Sequence, residues 1–171
     1  MLNVSAGYSV TNLAMPSSGR VALVGAHVSI SADSGTRFGA TLDLDYGRAA
    51  NVFSSGRRMD ALSYLAGPVF CATSGNLVST YLHLLVGGAK VTGPVPSGIG
   101  GLSAAYVHYP AWAVGGGAEY RLSSSFAFRV SVDYLHMHFF KSATAIKGQN
   151  DIRVVNSLVY YLGVPHVKYR R

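Results

Sequence analysis

The stretch that most constrains this chain is "SFAFRVSVDYLHMHFF", residues 125–140. Taken in steps of two it separates cleanly. Phe126, Phe128, Val130, Val132 and Tyr134 fall on one parity, and Ala127, Arg129, Ser131 and Asp133 on the other. At the 100° per residue of a helix, the same letters scatter aromatics and charges around the whole cylinder. A period of two makes this a strand with one continuous apolar face. Two opposite charges then share the other face.

The alternation recurs in "LNVSAGYSVT", "RVALVGAHVSIS", "RFGATLDLDYG", "ALSYLAGPVF", "AWAVGGGAEYR" and "DIRVVNSLVYYLG". In "ALSYLAGPVF", Leu65 and Val69 break the pattern. Pro68, which has no hydrogen to donate to a ladder, predicts a bulge there or an earlier end to the strand. "VSTYLHLLVGGAKV" is largely apolar on both parities. Eight strands of about ten residues are expected, which is the length of a tilted membrane-crossing strand.

The connections alternate too. "ADSG", "ATSGN" and "LSSS" are short, whereas "LAMPSSG", "RAANVFSSGRR", "TGPVPSGIGGLSAAYVHY" and "KSATAIKGQN" are longer. In an up-and-down meander this puts every short turn at one end and every long loop at the other, as outer-membrane barrels do.

Charged residues make up 12% of the 171 residues, against roughly 25% in ordinary soluble domains. No window approaches the roughly 18 to 20 apolar residues of a membrane-spanning helix. Cys71 is the single cysteine, so an internal disulfide is excluded and no metal or redox spacing is present. The net charge is +7, but the basic residues form no stripe and match no nucleic-acid module, so nucleic acid is not an expected partner. "MLNVSAGYSV" alternates like a strand and lacks the basic start and apolar core of a secretory signal. The expectation is an exported chain whose signal was removed and a Met placed in front.

Two barrels fit this pattern. In one, the apolar parity faces lipid and the small, polar parity fills a lumen; in the other, a soluble lipocalin-like barrel encloses an apolar small molecule. A wet exterior calls for Lys, Glu, Asn and Gln. The polar parity here is Gly, Ala and Ser, which suits a narrow lumen. Tyr46, Trp112, Tyr120 and Tyr160 near strand ends fit interfacial rings. The expected fold is therefore all-β, an eight-stranded antiparallel up-and-down transmembrane β-barrel over residues 1–163, with a short tail over 164–171.

Six lumen charges must be paired, because isolated burial is costly. These are Asp43, Asp45, Glu119, Arg129, Asp133 and Arg153. Arg129 can meet Glu119, and Arg153 can meet Asp133, across adjacent strands. Such a network either plugs the lumen or gates a narrow pore. Arg20, Arg48, Arg57, Arg58, Lys141 and Lys147 fall in or beside the long loops, where they can contact lipopolysaccharide phosphates or simply keep the loops soluble. His136 and His138 share the lipid parity near a strand end and are read as interfacial residues, with no third metal ligand nearby. His27 and Ser29, with Asp43 on the next strand, resemble the arrangement of outer-membrane lipid A deacylases; the alternative is two polar lumen fillers.

The segments "GGGAEYRLSSSFAFRVSVDYL" and "NDIRVVNSLVYYLG" resemble the small eight-stranded outer-membrane β-barrel families, of the OmpA transmembrane-domain and Ail/OmpX-like kind. The resemblance implies integral residence in a Gram-negative-type outer membrane and a structural or surface-interaction role, adhesive or porin-like. It further implies no catalysis, no cofactor, and a single copy contacting outer-membrane lipid, lipopolysaccharide and a surface ligand held by long loops. Members usually end on an aromatic residue that the insertion machinery reads. This chain instead continues with "VPHVKYRR" after Gly163, expected as a short periplasmic extension.

Overall fold

A computed structural model describes residues 2–15, 19–34, 37–52, 56–75, 77–97, 101–142 and 145–162. Eight strands follow one another: β1 (Leu2–Met15), β2 (Gly19–Asp33), β3 (Phe38–Val52), β4 (Arg57–Ser74), β5 (Val78–Ser97), β6 (Gly101–Arg121), β7 (Phe126–Ser142) and β8 (Ala145–Leu162). Each pairs antiparallel with its sequence neighbours, and β1 pairs with β8, so the sheet closes into a barrel. Closure leaves the barrel wall without a free edge strand. The expected tail, 164–171, lies outside the described residues.

The strands are longer than the ten residues expected, from 14 in β1 to 21 in β6. The long connections account for the difference. No more than four residues separate successive strands at either end, because the segments read as loops zip into β-hairpins that carry the ladder outward. Ser97 faces Gly101 at the tip of the β5–β6 hairpin. The β6–β7 ladder begins only at Ala111 and Met137, so Gly101–Pro110 pairs on one side alone. The two ends of the barrel thus differ in hairpin height, not in loop length. They are called here the turn end, which carries the β2–β3, β4–β5 and β6–β7 connections, and the hairpin end.

Pro68 neither bulges nor ends β4. The pairing with β5 omits Gly67 and Pro68 and resumes at Val69 in the same register, while the irregularity lies between Cys71 and Thr73. The missing proline donor leaves a gap in one ladder, and the strand runs on to Ser74.

Parity sets the two faces. Leu42, Leu44, Leu82, Leu84, Val86, Val132 and Leu158 all lie exposed on the outside, as do most of the large apolar residues. Aromatic rings edge this belt. Phe38 packs on Phe70 at 5.2 Å and Phe126 on Tyr160 at 5.1 Å at the turn end. Toward the hairpin end, Trp112 lies between Tyr134 at 5.8 Å and His136 at 5.2 Å. On the inner face, glycine allows strands to approach: a Cβ at Gly25 would stand 1.7 Å from the Tyr46 carbonyl oxygen.

The interior has two layers, where the sequence pattern suggested one. The half nearer the turn end is mainly polar and charged, with a small apolar cluster of Ala127, Val159 and Tyr161 beside the charges. The half nearer the hairpin end is an apolar plug of Leu13, Leu23, Met59, Leu65, Leu85 and Leu135, with Ala49, Ala89, Ala111 and Met137 filling between them. Leu65, which breaks the parity rule of β4, is 1% exposed inside this plug. The two-sided apolar character of β5 has the same origin, since Leu84 faces out while Leu85 closes the lumen.

Candidate functional site in the barrel interior and on its outer rim

The polar layer is built around two arginines. Arg153, on β8 and fully buried, donates from Nε and Nη2 to Asp133 Oδ2 of β7 at 2.9 and 2.6 Å. From Nη1 it reaches across the lumen to Asp43 Oδ1 of β3 at 2.8 Å. His83 of β5 donates to the other oxygen of Asp133 at 2.8 Å. One carboxylate thus binds partners from both sides, as a buried charge requires.

Arg129 forms the second centre. Its Nε and Nη2 lie 2.7 and 2.5 Å from Glu119 Oε1 on β6. Nη2 also donates to Asn3 Oδ1 at 3.3 Å, and Nη1 to Ser29 Oγ at 3.5 Å. The guanidinium stacks over Tyr81 at 5.2 Å, and the Tyr161 hydroxyl donates to Glu119 Oε2. Ser5–Ser29 and Ser31–Thr41 bonds of 2.7 and 2.9 Å link the hydroxyls of β1, β2 and β3.

The two pairs expected across adjacent strands are therefore present, Arg129 with Glu119 and Arg153 with Asp133. Asp45 makes no hydrogen bond among the described residues. It faces His27 Nδ1 at 3.6 Å, while Asp43 faces His27 Nε2 at 3.6 Å. His27 and Ser29 do not form a dyad. The imidazole lies between two carboxylates, and Ser29 is committed to Ser5 and Arg129. A nucleophile needs its base in hydrogen-bond reach, and this pair lacks that contact.

Asn3, His83, Tyr81 and Tyr161 complete the network and carry no signal of their own in the sequence. Each sits on the inward parity, but only the closed barrel shows which charge it meets. Asp151 is a further buried acid. Its Oδ1 accepts from the Ala14 backbone N–H at 2.6 Å, and its Oδ2 has no partner among the described residues. A polar cavity of about 250 Å³ lies between the charged layer and the turn end, lined among others by His27, Arg37, Thr41, Tyr81 and Arg121. The apolar plug stands between it and the hairpin end.

On the outer rim, the expected loop cations are strand residues, because the loops are hairpins. Arg20, Arg57 and Arg58 are exposed in β2 and β4. Arg48 donates from Nε to Asp60 Oδ1 at 2.6 Å and from Nη2 to the Tyr46 hydroxyl at 2.7 Å, and Arg58 stands 3.6 Å from Asp60. Lys90, absent from the sequence expectation, lies 4.8 Å over the Tyr106 ring. An open groove between Arg57, Arg58, Thr92, Pro94 and Tyr106 adjoins this cluster. Lys141 and Lys147 take their places in β7 and β8, but their side chains lie outside the described residues, as does that of His138. His136 stacks on Trp112 and bonds Asn150 at 2.8 Å. Among the described residues no group of three or more His, Cys, Asp or Glu could hold a metal ion.

No protein-family model matches the chain, and no curated protein matches it in sequence. Solved structures do. Neisserial surface protein A superposes with a TM-score of 0.68 at 13% identity, covering 93% of this chain and 96% of that one. Ail, the attachment invasion locus protein of Yersinia pestis, gives 0.65 at 16% over the same shares. A second structure of Ail holds the heparin analogue sucrose octasulfate. The outer membrane protein OprG from Pseudomonas aeruginosa gives 0.59 at 10%, covering 93% and 94%. At such identities the likeness concerns architecture, and this chain has the fold of the small eight-stranded outer-membrane β-barrels.

Proposed function

We propose that the chain is an integral barrel of a Gram-negative-type outer membrane with a structural and surface-interaction role, neither conducting nor catalytic. The observation that carries this reading is the inside-out distribution of side chains. Arg153 and Asp133 are buried at the centre while Leu82, Val86 and Val132 stand more than half exposed on the wall. In water that wall would be a very large apolar patch; in lipid it is the expected surface. The soluble alternative needs an apolar cavity, whereas the cavity beside the charged layer is lined mainly by polar and charged residues.

Two further features support the finer reading. The plug and the ion-paired layer obstruct the axis, which speaks against a porin-like channel. The outward cations Arg48, Arg58 and Lys90 at the hairpin end, with exposed Arg57 beside them at the hairpin tip, suit the phosphates of lipopolysaccharide through charge-assisted bonds. Ail's complex with a polysulfated sugar shows that the same architecture accommodates a polyanion.

The test is refolding into detergent and then vesicles. Heat-modifiable gel mobility and insertion support the reading, and a chain soluble and monomeric without detergent ends it. Single-channel steps from the wild type in a planar bilayer would overturn the non-conducting role. Co-purified lipopolysaccharide unchanged in Arg57→Gln/Arg58→Gln would remove the phosphate contact, and lipid A changed in mass on incubation would overturn the non-enzymatic role.

A further inference from the structure

Among the described residues, the middle of the outer wall carries a carboxamide that lipid does not satisfy. Asn156 of β8 lies on the outward parity, with Val154 and Leu158 along its strand, Tyr8 opposite it on β1 and Val130 opposite it on β7. It stands six residues from Leu162, the turn-end limit of β8. At about 3.3 Å per residue and a tilt of about 40°, that is roughly 15 Å along the barrel axis. The apolar band of such barrels is about 25 Å tall, so Asn156 lies near its middle.

Two other outward amides among the described residues are placed differently. Asn150 faces and bonds His136, and Asn12 faces Ile152, which in turn faces Tyr134. Both therefore stand level with the hairpin-side aromatic ring, where water and headgroups reach them. Among the described residues the Asn156 side chain has no hydrogen-bond partner, and neither has the Tyr8 hydroxyl beside it. An unpaired amide in hydrocarbon is costly, and acyl chains offer neither donor nor acceptor. The hydrophobic pattern of β8 would be served by Val or Leu here.

We infer that the β7–β8–β1 face is a contact between two copies of this chain in the membrane, centred on Asn156. The inference rests on the reading that this wall faces lipid. A carboxamide both donates and accepts, so it is complementary to itself. A two-fold axis along the membrane normal brings Asn156 to the same depth as its symmetry mate and makes two equivalent amide–amide bonds. Only a second copy has its depth match guaranteed by symmetry; another protein would have to carry a polar group at the same level by chance. Ala6, which faces Leu158 across the β1–β8 ladder, is small enough to let two walls approach. This departs from the single copy that the family resemblance implies.

Cross-linking in vesicles tests it. In a Cys71→Ser background, Ala6→Cys places a thiol on the contact face and Ala66→Cys places one on β4, across the barrel. Heat-modifiable mobility of every variant is checked first, so failure to insert, which would sink the membrane reading, is seen separately. The expected result is oxidative cross-linking to twice the chain mass through Ala6→Cys and not through Ala66→Cys. Adding Asn156→Leu should cut the yield at limiting protein density by roughly tenfold, the scale of a hydrogen-bonded contact in a bilayer, and Asn156→Gln should restore most of it. Equal linking at the two positions, no linking at either, or an Asn156→Leu protein that links as well as its parent would overturn the contact. So would a product in native membranes whose mass is that of this chain plus a different protein.

Discussion

Replacing Arg153 with Ala should be among the most damaging single changes in this barrel. The side chain is fully buried and makes three hydrogen bonds of 2.6 to 2.9 Å, two to Asp133 and one to Asp43. Its removal leaves two carboxylates beside a hole. Asp133 keeps the bond from His83, whereas Asp43 keeps only His27 at 3.6 Å, beyond hydrogen-bond length. Removing one partner of a buried pair costs about 3–5 kcal/mol, and Asp43 should carry the larger share. With an m-value of about 2 kcal/mol/M, a loss of about 4 kcal/mol lowers the urea midpoint by about 2 M. Trp112, the one tryptophan, faces outward, so its fluorescence reports transfer out of the micelle or bilayer without touching the network. Asp43→Asn in the Arg153→Ala background should recover about half of the loss, because a neutral amide does not need a counter-charge. A midpoint within about 0.5 M of the wild type for Arg153→Ala, on the same m-value scale, would refute the reasoning. It would mean that water fills the lumen well enough to screen these charges and that the network is a bystander.

Other expectations concern the rest of the interior. Leu65→Gly combined with Leu85→Gly removes two plug residues that are at most 1% exposed and should give single-channel steps where the wild type is silent; silence in both would place the barrier in the charged layer. Asp151→Asn keeps an oxygen for the Ala14 N–H while removing a buried carboxylate whose Oδ2 has no hydrogen-bond partner among the described residues. It should raise stability by about 1–2 kcal/mol, and a loss in the same denaturation series would show that the carboxylate has an ion partner. Gly25→Ala puts a Cβ 1.7 Å from the Tyr46 carbonyl, an overpacking that should destabilise by about 1–3 kcal/mol and lower the yield of the heat-modifiable form. A full yield would show that β2 and β3 can separate there at little cost.

Much of the architecture was legible in the chain because strand chemistry is local. A period of two, repeated between turn signals, shows the strands, their number and their two faces without knowledge of the fold. Pairing between strands consecutive in the chain is also local, so Glu119 beside Arg129, across a short turn, and Asp133 beside Arg153, on the next strand, are expected from the residues alone. Strand length is not. Glycine, proline and serine between the hydrophobic runs read as loops, yet a hairpin already zipped by its neighbours extends through them, as Thr92–Ser97 and Gly101–Tyr109 do.

Closure decided the remainder. Which inward residues meet across the lumen depends on the curvature and stagger of the whole sheet, so no local pattern brings Arg153 to Asp43, 110 positions away, or Asn3 to Arg129. Closure also sorts one inward parity into two layers, charged at one level and apolar at another. Leu65 looked like an error in a strand for that reason. Its fit is set by Leu85, Leu13 and Leu135 on three other strands, and packing between distant segments leaves no periodic trace in the chain. The alternation determines which side chains face in, and only the closed barrel determines what they meet there.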